Sequence, residues 1–187
     1  MNMPSLKELA NSVSVIVPTY NRRKLLETAL CSIFGQTVLP GRVFILNNGS
    51  TDGTSEYLDG LANEFLDIIT YRENRNLGAS LGMRYLFEKV LENSNTQWIW
   101  VMDDDACAYP TALEELLTSD ELLLPNALIL ESAIVDREGI WAKPNRPCRF
   151  VPKKFSFDPI TETEFTESFE QRKGISVNTG GYCGMLI

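Results

Sequence analysis

The stretch Trp98-Ile99-Trp100-Val101-Met102-Asp103-Asp104-Asp105 joins an apolar run to three consecutive carboxylates. β-Branched and aromatic residues without polar alternation suit a strand covered on both faces. Three adjacent anions at its end repel one another, which raises their pKa values unless a cation stands among them. A hard divalent ion supplies that cation, because Mg2+ and Mn2+ favour carboxylate and water oxygen. The position agrees, since ligands of open α/β sheets bind outside the carboxyl ends of the strands. The competing reading makes the three residues an N-capping cluster ahead of a helix over Pro110–Leu117.

Three other apolar runs end in polar or small residues. The first is followed by Pro18-Thr19-Tyr20-Asn21, the second by Asn47-Asn48-Gly49-Ser50-Thr51-Asp52-Gly53, and the third by Arg72-Glu73-Asn74-Arg75-Asn76-Leu77-Gly78. Tyr20 can stack on or flank a base, and Thr19 and Asn47 can meet its hydrogen-bonding edge. Gly49 and Gly53 suit tight turns. Asn76 and Gly78 precede a helix whose free N–H groups could face a phosphate or a sugar hydroxyl. Each group also has a plainer use. Thr19 and Asn21 can serve as caps, the Asn-Gly-Ser-Thr-Asp-Gly run as a turn, and Arg72 and Arg75 as solvated charges. Nothing near Cys107 in sequence would activate its thiol, so it reads as a small packed residue.

The elements that must carry these groups alternate strand and helix. Val13–Val17 is a buried strand stopped by Pro18, and Arg22–Phe34 a helix with Leu25, Leu26, Ala29, Leu30 and Ile33 at helical spacing. Asn21 is its expected N-cap and Gly35 its stop. Strands at Arg42–Leu46, Asp67–Tyr71 and Gln97–Met102 alternate with helices at Thr54–Phe65 and Leu77–Leu91. The repeat predicts a doubly wound, mostly parallel α/β sheet, and in such a sheet all four polar loops share one edge. Beyond Asp105 the pattern changes. Ala127–Val135 reads as a strand, with Ile140–Ala142 its partner across the Asp136-Arg137-Glu138-Gly139 turn. Residues 143–174 read as an irregular insertion or mobile loop. Val177–Ile187 ends in an apolar run like a strand cut short, so the 187-residue chain reads as a single domain truncated at its C-terminus.

The length suffices for one substantial core, and a hydrophobic fraction of 44% is ordinary for a globular domain. A formal charge of −8 argues against nucleic acid and against electrostatic docking on anionic lipid. It does not exclude a nucleotide bridged by a metal. Histidine is absent and the four cysteines are scattered, which removes imidazole acid–base chemistry and the usual zinc sites. The N-terminus lacks an apolar signal core and no window reaches membrane-spanning length. A cytoplasmic protein is expected, soluble or peripheral to the inner face of the membrane.

Val15-Ile16-Val17-Pro18-Thr19-Tyr20-Asn21, Asn47 to Thr54, Glu73 to Gly78 and Met102-Asp103-Asp104-Asp105, in this order, resemble the successive motifs of family 2 glycosyltransferases. The resemblance spans about Ser12 to Leu117. It implies the GT-A fold, a Rossmann-like sheet with helices on both faces, and inverting transfer from a nucleoside-diphosphate sugar of UDP or dTDP type. The acceptor would be a saccharide or lipid-linked hydroxyl. It implies a nucleotide site from Pro18, Thr19, Tyr20, Asn21, Asn47, Asn48, Asn76, Gly78, Asp103 and Asp104. Asp103 and Asp105 would hold Mg2+ or Mn2+ in a D-x-D pattern. Met before the three aspartates is similar to bacterial galactofuranosyl- and rhamnosyltransferases.

Two features depart from the family. Asn47 stands where Asp is usual, so base recognition would proceed without charge. The family's catalytic base usually follows a glycine-rich segment that Asn178-Thr179-Gly180-Gly181 resembles, which places it beyond Ile187. The acids upstream of that point, Asp158, Glu162, Glu164 and Glu167, lie in the irregular segment. The alternatives are a noncatalytic nucleotide-sugar-binding module and a sugar-1-phosphate nucleotidyltransferase. The latter wants a glycine-rich basic loop after the first strand, which Pro18 to Arg23 is not.

Overall fold

The computed structural model describes residues 4–64, 67–92, 95–123, 129–132, 135, 148–151, 156–159, 161, 163–164 and 185–186. Four strands, β1 (Val13–Thr19), β2 (Arg42–Asn48), β3 (Ile68–Glu73) and β4 (Trp98–Val101), run parallel in the spatial order β3-β2-β1-β4. The chain winds outward from β1 to β3 and then returns to the far side of β1. Right-handed crossovers therefore put helices on opposite faces. The outward leg places α2 (Arg23–Phe34) and α3 (Thr54–Glu64) on one face, and the return leg places α4 (Ala79–Leu91) on the other.

Side-chain alternation along β1 shows the two layers. Val13, Val15 and Val17 pack with Leu26, Leu30 and Ile33 of α2 and with Leu58 of α3, while Ile16 joins Leu86 and Val90 of α4. On β4, Trp100 belongs to the first layer and Ile99 and Val101 to the second. This double burial is why the strands lack polar alternation. The helix after β4 is α5, at Ala112–Thr118 rather than Pro110–Leu117, and it adds Leu113, Leu116 and Leu117 to the first layer. Pro18 breaks no ladder. Ile16 accepts from Met102 N at 3.1 Å, and Pro18, two residues on, faces the same side beyond the last β1–β4 pair.

Several elements differ from the sequence reading. A helix α1 (Leu6–Asn11) precedes β1, opened by a capping box: Ser5 N donates to Glu8 Oε2 at 2.7 Å and Glu8 N to Ser5 Oγ at 3.4 Å. Strand β2 runs on to Asn48, because β1 pairs with it as far as Asn47 and β3 as far as Asn48; Asn47 stands opposite Thr19 and Arg72. α4 begins at Ala79, held back by Asn76, whose Oδ1 accepts from Gly78 N at 2.7 Å.

Beyond α5, β5 is confined to Leu130–Glu131, with Val135 in an isolated bridge. In the segment read as irregular, β6 (Cys148–Val151) and β7 (Ser156–Pro159) pair antiparallel. β8 (Met185–Leu186) lies antiparallel between β4 and β5, Met185 opposite Val101, so the sheet is mixed at that end. The turn at 136–139, the strand expected at 140–142 and the glycine pair at 180–181 lie outside the described residues. No helix among the described residues is long and apolar enough to cross a membrane.

Candidate functional site

The strand order reverses between β1 and β4, and the carboxyl ends of these two strands form the switch-point crevice where α/β sheets bind ligands. Thr19 ends β1, and Asp103, Asp104 and Asp105 follow β4 after one residue, Met102. The two ends are joined: Thr19 Oγ1 donates to Asp104 Oδ2 at 2.7 Å, with both residues buried.

Arg22 approaches the same carboxylates from the loop after β1. Its Nη1 lies 3.1 Å from Asp104 Oδ1 and 2.8 Å from Asp105 Oδ2. The Asp104 hydrogen bond and charge, with the Asp105 charge after them, raise the guanidinium's pKa above its ordinary value. The cation that three adjacent anions require is thus present within the chain. In the sequence Arg22 stands only as the expected first residue of the α2 helix and as part of the Pro18–Arg23 stretch that is not a glycine-rich phosphate loop. Its position one residue past the Thr-Tyr-Asn run was the available signal.

The β1 and β2 loops are zipped together. Asn21 N donates to Ser50 Oγ at 2.9 Å, and Asn21 Oδ1 accepts from Thr51 N at 2.7 Å. Asn21 takes a positive φ of 52° to do so, a conformation that Asn tolerates better than most residues. It is therefore not the N-cap of α2. Arg22 occupies that position without a side-chain cap bond, and Asp52 supplies the missing acceptor, taking Arg23 N at 2.9 Å. Asp52 also accepts from the Thr54 hydroxyl and N–H at the start of α3. These bonds, the Thr54 hydroxyl first and Arg23 N–H second, hold its carboxyl below the ordinary value.

Asn47 and Asn48 end β2, and both are buried. Asn47 is 2% exposed, accepts from Ser50 N at 3.0 Å and donates to Ser55 Oγ at 2.8 Å. The amide thus braces the β2–α3 loop as well as standing at the strand end. Asn48 reaches the opposite loop, accepting from Leu77 N at 2.9 Å and donating to Asn76 Oδ1 at 3.0 Å. Gly49, at φ 82°, lets the two loops touch: a Cβ there would lie 2.7 Å from the carbonyl carbon of Arg75. Gly78 also has positive φ, 83°, but faces open space.

Tyr20, the residue after β1, is exposed and able to present its ring. Arg72 instead turns to α3, bonding Ser55 O at 3.2 Å and Asp59. Cys107 is exposed rather than packed. Downstream, Asp158 pairs in register with Arg149, and Glu164 closes a capping box with Thr161; Glu162 and Glu167 lie outside the described residues.

The loop carrying the aspartates is fixed to α2 and the turn after it by residues that no motif announced. Gln36 Nε2 donates to Tyr109 O at 2.7 Å, and its Oε1 accepts from Leu113 N at 2.9 Å at the start of α5. Ser32 Oγ accepts from Ala108 N at 3.0 Å. These partners lie more than seventy positions away in the chain, so neither local spacing nor periodicity signals them.

Among the described residues no three Asp, Glu, Cys or His side chains gather as a metal group. The donors still suit a hard ion. Mg2+ commonly takes one or two carboxylates and completes its shell with water and substrate phosphate. Asp103 and Asp105 offer that number, and Asp105 already shares a cation, the Arg22 nitrogen, with its neighbour Asp104.

The family model described as "Glycosyl transferase family 2" matches residues 14–185. The abequosyltransferase RfbV of Salmonella typhimurium is 39% identical over 95 residues, which are 49% of this chain and 28% of that protein. The hyaluronan synthase of Streptococcus pyogenes is 31% identical over 114 residues, 57% of this chain and 26% of that one. The chain thus spans well under half the length of these curated relatives. The mannosyltransferase PcManGT of Pyrobaculum calidifontis, solved in complex with GDP-Man and Mn2+, superposes with a TM-score of 0.52 at 24% identity. That superposition covers 67% of this chain and 36% of the mannosyltransferase, and it shows a shared GT-A fold.

Proposed function

The chain belongs to glycosyl transferase family 2, and from that membership we propose that it forms the donor site of a metal-assisted, inverting glycosyltransferase. The donor is a nucleoside-diphosphate sugar of UDP or dTDP type, and the acceptor a saccharide or lipid-linked hydroxyl. The observation that carries this reading is the convergence of Thr19, Arg22, Asp104 and Asp105 at the β1/β4 switch point.

In this reading each side chain has a task its position suits. Tyr20 lies along the base, and Thr19 and Asn47 border its polar edge from the strand ends. Asn48, Asn76 and Gly78 shape the opposite wall. Pro18 and Asn21 fix the path of the β1 loop. Asp103 faces the ribose, and with Asp105 it would hold Mg2+ or Mn2+. A bound divalent ion supplies Lewis-acid neutralisation of the departing diphosphate. Asp104 holds the β1 and β4 ends in place for this purpose. The acceptor hydroxyl attacks the anomeric carbon as the bond to the diphosphate oxygen breaks, and a general base takes its proton. Asp52 and Asp104 are committed to the frame rather than to proton transfer.

Titration calorimetry with UDP, dTDP and GDP, with and without Mn2+, tests the reading. Binding of a nucleoside diphosphate that strengthens with Mn2+ is expected. Equal affinity with and without the ion for all three nucleotides would overturn the metal-assisted donor site.

A further inference from the structure

A single nitrogen of Arg22 stands between two carboxylates, 3.1 Å from Asp104 Oδ1 and 2.8 Å from Asp105 Oδ2. The two acceptors are unequal. Asp104 is buried and also receives the Thr19 hydroxyl, whereas the Asp105 side chain is 49% exposed. Stripping a buried carboxylate of a partner leaves a charge where water cannot replace it, so that contact is held. An exposed ion pair adds little stability, so the Asp105 contact is readily given up. Arg22 is thus anchored on one side and releasable on the other.

We propose that Arg22 is the resident counter-cation of this strand end, yielding Asp105 to a divalent ion when the donor arrives and turning the released side of its guanidinium to the donor's diphosphate. The proposal rests on the donor-site reading above. Its physical basis is charge exchange at constant balance. A dication entering beside Asp105 repels the guanidinium, and the diphosphate that arrives with it offers the guanidinium a new anionic partner. Guanidinium also matches phosphate oxygens in geometry, which an ammonium does not. The arrangement makes the ion bind poorly by itself, because it must first displace Arg22, and well together with nucleotide.

The test measures Mn2+ binding by loss of the free-ion electron paramagnetic resonance signal. It compares the unchanged chain with Arg22→Gln and Arg22→Lys, first without nucleotide. Nucleotide affinity is then measured at saturating Mn2+, using whichever of UDP and GDP the unchanged chain binds more tightly. Arg22→Gln is expected to bind Mn2+ alone roughly three- to tenfold more tightly, from removal of one exposed ion pair and a nearby positive charge. It should bind nucleotide about tenfold more weakly, from loss of a charged hydrogen bond. Arg22→Lys keeps the charge and an Asp104 partner, so it should shift both affinities in the same senses by less, and it reads the effect if Arg22→Gln does not fold. The opposite movement is the signature, since a merely loosened site lowers both affinities. Unchanged Mn2+ affinity, or both affinities falling together, overturns the proposal while leaving the donor-site reading standing. If Mn2+ does not strengthen nucleotide binding to the unchanged chain, that reading falls and the proposal with it.

Discussion

Thr19 and Asp104 share a buried hydrogen bond of 2.7 Å that ties the end of β1 to the turn after β4, across the point where the strand order reverses. Among the described residues, the bond satisfies a carboxylate whose other side-chain partner is Arg22. Thr19→Val preserves shape and removes the hydroxyl. It should destabilise the fold by about 1–3 kcal/mol, the range for a buried acceptor left without one partner. Thr19→Ser keeps the donor and should cost about 0.8 kcal/mol, one methyl group. Urea denaturation of both checks this, and a Val variant as stable as the Ser variant would remove the bond from the account.

Two glycines with nearly the same backbone angle should respond differently. At Gly78, φ is 83° and ψ 165°, a backbone region essentially confined to glycine, and nothing lies within 4 Å of an added Cβ, so Gly78→Ala should cost about 1–3 kcal/mol, the backbone penalty alone. At Gly49, φ is 82° but the Cβ would meet the Arg75 backbone at 2.7 Å. Gly49→Ala should cost a further ~1–3 kcal/mol, because two loops must separate. Equal midpoint shifts in thermal unfolding would mean that the loops do not press together there.

The parallel sheet and the shared loop edge were legible because apolar runs such as Val13–Val17 and Trp98–Met102 need cover on both faces. The GT-A resemblance followed from polar residues recurring at each run's end. What escaped were effects of distant pairing. β2 extends past Leu46 because β1 pairs with it to Asn47 and β3 to Asn48. Asn21 is drawn out of its capping position by Ser50 and Thr51, and Arg22 meets its carboxylates across more than eighty residues. By contrast α1 was missed although its Ser5–Glu8 capping box is written locally. The short β6–β7 hairpin falls among prolines and basic residues that resemble loop composition, so its pairing had no periodic signal.

Asn47 offers a test of base recognition. A carboxylate at this position would still accept from Ser50 N, and the Ser55 hydroxyl could donate to it instead of accepting. Asn47→Asp should therefore fold, and it should raise the ratio of UDP to GDP affinity, since uracil N3–H donates more strongly to a charged acceptor. Calorimetry with both nucleotides gives the ratio, and an unchanged value would confine Asn47 to bracing its loop.

Asp52 should make part of the stability pH-dependent. Its carboxyl is held below the ordinary 3.8 by Thr54 and Arg23, so the unfolded chain takes up its proton first as pH falls. The stabilisation is complete above 3.8 and is lost as pH drops through the lower folded value. Asp52→Ala should cost about 1–2 kcal/mol at pH 7, as expected when a helix cap is removed. The difference from the unchanged chain should narrow steadily below pH 3.8. A constant gap across that range in acid-titrated denaturation would assign the loss to something other than the carboxylate's charge.

The adjacent carboxylates Asp104 and Asp105 should fail in different ways when altered. Asp104 is 6% exposed and holds Thr19 and Arg22, so Asp104→Ala leaves an unpaired hydroxyl, an empty space and a released guanidinium. Breaking such a buried pair costs about 3–5 kcal/mol; because Arg22 itself is half open to water, the lower end is expected. Asp105 is half exposed and contributes one surface ion pair, worth ~0–1 kcal/mol, so Asp105→Ala should leave the melting temperature nearly unchanged. Its loss should instead remove the Mn2+-dependent part of nucleoside-diphosphate affinity. Thermal unfolding and calorimetry on the two variants separate these roles. If Asp105→Ala retains full Mn2+-dependent binding while Asp104→Ala folds normally and loses it, the structural and ligand-holding assignments of the two residues must be exchanged.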